Sequence, residues 1–273
     1  MDSHPQPSPF ADKARWTTLA LAYERWGESF TGQYSDSALS LAGGVQPGER
    51  VLDVAAGTGA LALRAGKAGA HVLATDFSPG MVERLGERLA PFIGCAASVM
   101  DGQALAIEDA SFSMFGVMAF PDYRRGLAEL VRATRAGGRT VVATWANPDG
   151  AGPMAPFMQA YRATFPDAEL PPPLPGVIAL SSAEDFKAEM IAAGCDDVVV
   201  HEVDGVWGGP SLDMVMATFE EARDLIPLYA ALDDAGRAKL AGPLRAAIAA
   251  HVDPDRAIRV HSIANIAIGR KHR

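Results

Sequence analysis

Three aspartates follow or close three short apolar runs, and two glycines lie just beyond the first. Arg50-Val-Leu-Asp-Val-Ala55 leads into Gly57-Thr-Gly59, His71-Val-Leu-Ala-Thr75 ends at Asp76, and the weaker run Ala96 to Met100 ends at Asp101. Gly57 and Gly59 allow a sharp turn and a close approach of the backbone to a ligand. On its own, Gly57-Thr-Gly-Ala-Leu-Ala62 fits the dinucleotide pattern G-x-G-x-x-A, a weak signal that would suit a nicotinamide oxidoreductase. The acids decide the reading. A carboxylate at Asp53 opposes a pyrophosphate and suits a ligand cation. Asp76 is placed to accept both hydroxyls of a ribose. Asp101 is placed to accept from an adenine amine while the next backbone N–H meets a ring nitrogen. A ligand combining ribose, adenine and a cationic amino-acid part satisfies all three.

These residues need strands and helices to position them. The turn Gln46-Pro-Gly-Glu49 introduces the first strand, Ala60 to Gly69 reads as a helix, and Ser78 with Pro79 caps a helix through Leu89. Residues 112 to 119 read as a fourth strand, Tyr123 to Thr134 as a helix closed by Gly137-Gly138, and Thr140 to Trp145 as a fifth strand. Strands alternating with helices specify a parallel sheet with right-handed crossovers. The expected fold is a Rossmann-like, doubly wound, seven-stranded, mostly parallel α/β sheet with a helical cap. Strand six is expected at Asp197 to Val203 and the last strand at Val260 to Ile268. Helices are expected over 13–31, 36–42, 182–193, 212–229 and 234–250. Residues 1–45 read as an N-terminal arm and cap helices, and 46–146 as the ligand-binding core. Residues 147–181 read as a proline-rich cap insertion. Residues 182–273 hold the rest of the core, a second helical insertion at about 205–255 and the final strand.

Four motifs in order resemble a known family. Val51-Leu-Asp-Val-Ala-Ala-Gly-Thr-Gly59 resembles motif I of the class I S-adenosylmethionine-dependent methyltransferases. Thr75-Asp-Phe-Ser-Pro-Gly-Met81 is similar to the second-strand motif, and Met100-Asp-Gly-Gln through Phe112 to the third. Phe120-Pro-Asp-Tyr through Leu130 to Gly137-Gly138 is similar to the fourth-strand exit and the helix after it. The set resembles that of ubiquinone and menaquinone methyltransferases that act on small molecules. The resemblance implies S-adenosylmethionine as cofactor and S-adenosylhomocysteine as product. It implies that Asp53, Ala55, Gly57 and Gly59 hold the methionine part and that Asp76 takes the ribose. Phe77 and Met81 would lie against adenine, and Asp101, Gly102 and Gln103 would bracket its edge. Met118 would lie beside the methionine portion, with Tyr23 and Tyr34 also in the cofactor site. Ala55 departs from the family's usual glycine, a change that a negative φ at this position would accommodate.

The expected reaction is transfer of a methyl group to a small apolar or aromatic acceptor on oxygen, nitrogen or carbon. Phe120, Trp145, Phe157, Tyr161 and Trp207 are the candidate acceptor wall. Tyr34, Asp122, Tyr123 and His251 are weak candidates for a catalytic base, and Asp122 and Tyr123 read slightly better as helix N-terminal charge and packing. An enzyme that binds the same cofactor for another reaction would keep every cofactor residue, and a binding or scaffold protein would lack only the acceptor pocket. The 273 residues carry a net charge of -9, which disfavours a nucleic-acid backbone as partner. Two cysteines, Cys95 and Cys195, make neither a disulfide framework nor a metal cluster, and no metal is expected. No apolar run approaches the roughly 18 residues of a membrane span. The opening MDSHPQPSPFADK reads against a signal peptide. The expectation is a cytoplasmic protein, monomer or homodimer, whose partner is its small-molecule acceptor.

Overall fold

Short apolar runs form the strands, and each of the first parallel strands hands over to a helix that covers one face. The computed structural model describes residues 9–107 and 110–272. One sheet contains β1 (Arg50–Val54), β2 (His71–Asp76), β3 (Ala96–Val99), β4 (Ala110–Met114), β5 (Arg139–Trp145), β6 (Cys195–Gly209) and β7 (Ile258–Lys271). Its order is β3-β2-β1-β4-β5-β7-β6. Strands β1 to β5 run parallel, and β7 is antiparallel to both β5 and β6. The order turns around between β1 and β4. In open α/β sheets that reversal opens a ligand crevice beyond the carboxyl ends of the strands. The fold is thus the expected Rossmann-like, mostly parallel seven-stranded sheet.

The helices are α1 (Lys13–Ala22), α2 (Glu28–Leu41), α3 (Ala60–Lys67), α4 (Pro79–Leu89), α5 (Tyr123–Ala133), α6 (Met154–Thr164), α7 (Pro175–Ala179), α8 (Ala183–Ala192), α9 (Leu212–Glu221), α10 (Pro227–Ala230) and α11 (Asp234–Ala249). On one face of the sheet, Leu52, Val54 and Val142 pack with Leu127 and Leu130 of α5 and Phe186 and Met190 of α8. On the other face, Val51, Val72, Phe112 and Val141 pack with Ala38 of α2, Leu61 of α3 and Leu85 of α4. A separate core lies in the cap, where Phe157 and Tyr161 of α6 meet Phe219, Tyr229, Leu240 and Leu244. Each of the buried Val, Leu, Phe and Met side chains among these contributes about 1.5–3 kcal/mol by leaving water. No helix among the described residues is long and apolar enough to cross a membrane.

Several elements differ in extent from the sequence reading. The helix expected over 13–31 breaks at a π-helical turn, Tyr23–Gly27. A Cβ on Gly27 would lie 2.6 Å from the Tyr23 ring, so the missing side chain lets the ring fold back there. Chain 212–229 likewise breaks, at Ala222 to Ile226 ahead of Pro227. β6 and β7 are longer than expected because they pair with each other well beyond β5, so residues 205–209 are strand rather than cap. The outer edge of β6 is met at Val206 by Gln33, whose side chain accepts from the Val206 N–H at 2.9 Å and donates to its carbonyl at 3.2 Å.

The fourth strand ends at Met114 rather than running to 119. Phe115 turns into the left-handed region at φ 62°, and Val117–Ala119 form a 3-10 turn. Ala55 also has a positive φ, 56°, which corrects the expectation of a negative angle there. A non-glycine residue in this region carries a cost of about 1–2 kcal/mol. Ala55 and Phe115 belong to one feature, because the methyl of Ala55 occupies the space that a side chain at Gly116 would take. The substitution Gly116→Ala is expected to destabilise the protein by about 1–3 kcal/mol through overpacking. Ala55→Gly in the same chain should recover most of that loss. Urea melts of the two single variants and the double variant measure the coupling, and simple additivity would contradict the contact.

Candidate functional site

The loop after β1 and the tip of β2 form a single construction. Gly57 and Gly59 both have positive φ, 56° and 107°. A Cβ at Gly59 would lie 2.6 Å from Leu85, so the loop packs directly on α4. This path aims backbone N–H groups at two buried acids. Asp53, 1% exposed, accepts from the Ala62 N–H through Oδ2 at 3.1 Å. Its Oδ1 is buried and accepts no hydrogen bond among the described residues. Asp76 accepts from Gly57 N–H at 3.0 Å through Oδ2 and from Ser78 N–H at 2.9 Å through Oδ1. Met81 is buried, and its N–H donates to the Ser78 cap at 3.4 Å. The ring of Tyr23 rests on Gly57, 3.0 Å from where a Cβ would stand, and its hydroxyl lies 3.5 Å from Thr31.

Burial sets the electrostatics. It pushes the Asp53 carboxyl up to about 8, the Ala62 N–H draws it part of the way back, and the Asp76 charge adds to the rise. Burial also raises Asp76, against the pull of the Ser78, Gly57 and Phe77 N–H groups. An unpartnered carboxylate oxygen in a dry site has the chemistry of a cation receptor. Asp76 keeps spare lone pairs on oxygens that already point at the loop, which suits hydroxyl donors. The residues present therefore fit the nucleoside with a cationic amino-acid part that the sequence motifs imply.

A second group follows β3 and β4. Asp101 is exposed, and its Oδ1 accepts from the Gln103 N–H at 2.9 Å. Gly102 lies beneath Phe120, where a Cβ would also meet Val54 at 2.9 Å, and Gln103 Oε1 accepts from the Asp122 N–H at 3.0 Å. Asp122 caps α5 by accepting from Arg125 N–H at 3.0 Å. Met118 is half-buried against the core, and its carbonyl lies under Gly176 of α7.

A third group stands above β4 and β5. Trp145 stacks on Phe115 at 3.9 Å and on Phe30 at 5.3 Å, and Tyr34 meets all three rings edge-on. Tyr34 is fully buried and its hydroxyl donates to the Ser262 carbonyl at 2.7 Å. Trp207 is half-buried and links this cluster to the cap core. The other candidates stand apart. Phe157 and Tyr161 are buried inside the cap core. Tyr123 lies on the α5 flank with its hydroxyl donating to Glu189 at 3.1 Å. His251 follows α11, where its carbonyl accepts from Arg259 N–H at 3.0 Å. Sequence reasoning missed Phe115, hidden in an apolar run, and the trio Glu28, Thr58 and Arg88 that grips the glycine loop. The adjacent Gly116 was the only local sign of the first. Cys195 is buried, with its thiol pushed up to about 11 by burial, and Cys95 is half-buried. Among the described residues no group of three or more His, Cys, Asp or Glu is arranged to hold a metal ion.

The raised Asp53 carboxyl has a stability consequence with a definite sign. The folded state holds a proton there that the unfolded chain releases near pH 4, so this contribution is complete below about pH 4 and is lost as pH rises through about 8. The melting temperature should fall from about pH 5 to 8, and Asp53→Asn should flatten that fall. Equal slopes for the two proteins, measured by calorimetry, would contradict the assignment.

Comparison with known proteins finds likeness over the same stretch of chain. Residues 51–138 match the family model for a methyltransferase domain. An uncharacterised protein of Mycobacterium tuberculosis is 39% identical over 139 residues, covering 49% of this chain and 50% of the relative. A demethylmenaquinone methyltransferase of Beutenbergia cavernae is 41% identical over 122 residues, covering 43% and 48%. The chain spans about half the length of the curated relatives it matches. Among solved structures, phosphoethanolamine N-methyltransferase 2 of Haemonchus contortus, crystallised with S-adenosyl-L-methionine, aligns with a TM-score of 0.56 at 17% identity. That alignment covers 94% of this chain and 57% of the other. The cyclase SpnF aligns with a TM-score of 0.53 at 15% identity, covering 89% and 82%. These last two likenesses bear on the fold alone. The motifs, the sheet order and the matched segment coincide over residues 51–138, the part of the chain that is similar to a methyltransferase domain.

Proposed function

We propose that this chain is an S-adenosylmethionine-dependent methyltransferase whose acceptor is a small apolar or aromatic metabolite. The observation that carries the reading is the buried, unpartnered Oδ1 of Asp53 beside Asp76 and the left-handed glycine loop. When bound, the cofactor supplies an electrophilic methyl group on a sulfonium, with a neutral thioether as leaving group. Asp53 would receive the ammonium of its amino-acid part, Asp76 the ribose hydroxyls, and the Asp101–Gln103 turn the adenine edge.

The chain's own contribution to chemistry is then mainly orientation and dryness. Phe115, Trp145, Phe30 and Tyr34 make an aromatic wall at the reversal point of the sheet, next to the loop of Ala55. The electron-rich faces of aromatic rings favour positive charge by about 0.5–2 kcal/mol. Three of the base candidates are already engaged. The Tyr34 hydroxyl is bonded to a carbonyl, Asp122 caps a helix, and Tyr123 is bonded to Glu189. This pattern favours acceptors that present a nucleophile without help from a dedicated base, such as an acidic hydroxyl or carbon acid or a neutral amine.

Isothermal calorimetry tests the reading. S-adenosylhomocysteine should bind and NAD should not, because Asp53 can ionise to receive an ammonium but offers a pyrophosphate no positive charge. Asp76→Ala should weaken binding of S-adenosylhomocysteine by at least about tenfold, the loss of roughly one charge-assisted hydrogen bond. Binding of NAD in place of S-adenosylhomocysteine would overturn the function. A screen in which only a polyanion or a protein is methylated would overturn the acceptor class.

A further inference from the structure

Helix α1, the π turn and the first residue of α2 cross the glycine loop as a strap whose attachments are largely polar. α1 buries only Leu19 and Ala20. It meets the start of α4 through Thr17, whose hydroxyl lies 3.1 Å from Ser78 Oγ and accepts from Gly80 N–H at 3.4 Å. Within the π turn, Glu24 accepts from Arg84 Nη2 at 2.9 Å. The densest junction is Glu28, at the start of α2. Its Oε2 accepts from the Thr58 hydroxyl at 2.5 Å and from Arg88 Nη1 at 2.5 Å, and its Oε1 accepts from Arg88 Nη2 at 3.0 Å. Arg88 Nη1 also donates to the Thr58 carbonyl at 2.7 Å. Thr58 is fully buried, and the Glu28 and Arg88 side chains are 11% and 22% exposed. Both polar handles of the middle loop residue are therefore held by one bidentate ion pair. The acid of that pair comes from the strap and the base from α4.

We propose that Glu28 is a positioning residue, which with Arg88 and Thr58 forms a latch between the strap and the Gly57–Gly59 loop. The opening of this latch sets the rate at which the nucleoside ligand leaves. The inference rests on the ligand site proposed above. Tyr23 and Glu28 stand on the same strap and touch successive loop residues, Gly57 and Thr58, so lifting the strap removes both contacts at once. The π turn Tyr23–Gly27 carries the first contact and ends at the second, and such irregularities mark hinges in helices. A partly buried, bidentate pair is stronger and less screened than the exposed pairs elsewhere on the surface.

Stopped-flow fluorescence of S-adenosylhomocysteine release reads the latch, with Trp16 and Trp26 on the strap as reporters. Glu28→Gln and Thr58→Val should each speed release about tenfold, about the worth of one charge-assisted hydrogen bond. Thr58→Ser keeps the hydroxyl and should restore most of the slow rate. Should Glu28→Gln fail to fold, the Thr58 pair carries the test, because it leaves the ion pair intact. Unchanged release rates in Thr58→Val, with or without a fall in melting temperature, would show a merely structural role and overturn the latch. Wild-type protein that does not bind S-adenosylhomocysteine would overturn the ligand site and the latch together. Binding with unaltered rates overturns the latch alone.

Discussion

Asp53 and Asp76 both lose solvent on folding, and each regains only part of that loss through backbone N–H groups. Those N–H groups belong to Gly57, to Ala62 in the first turn of α3, and to Phe77 and Ser78 after β2, so the loop between β1 and α3 must bring both Gly57 and the start of α3 to the acids. That path requires left-handed backbone at Ala55, Gly57 and Gly59. The methyl of Ala55 then demands a bare residue at 116, and the chain leaves β4 early to provide it. Phe115 is thereby turned toward Trp145, and the aromatic cluster above β5 follows. A requirement for two dry carboxylates thus propagates through the loop, the end of β4 and the wall above the sheet.

Much of this was legible in the sequence because it is local. Asp53, Asp76 and Asp101 sit at the ends of short apolar runs, and the glycines mark the turns that follow. Ser78 with Pro79 announced the start of α4. What escaped depends on distant contacts or on a single dihedral angle. Residues 112 to 119 form one apolar run, and only the φ of Phe115 shows where the strand stops. Glu28 lies 30 residues from Thr58 and 60 from Arg88, so no spacing rule connects them. β6 and β7 outrun their expected lengths because each is the other's partner, a fact that no single segment carries.

The cap shows the same limit in another form. The stripe of Phe157 and Tyr161 was readable as one face of a helix, yet periodicity is silent on what a face meets. In the structure that face meets Phe219 and Tyr229 and builds a core of its own. Trp207 alone among the cap candidates reaches from that core to the aromatic cluster. Helix α1, by contrast, buries only Leu19 and Ala20, and it meets α4 through Thr17.

On the proposed function, the ligand cation meets an Asp53 carboxyl group whose burial raises it to about 8. Calorimetry of S-adenosylhomocysteine binding at pH 7, repeated in buffers of different ionisation enthalpy, counts the protons exchanged. The account predicts release of about one proton per ligand, fading above about pH 9 and absent in Asp53→Asn. Binding with no proton release at pH 7, or release unchanged in that variant, would contradict it.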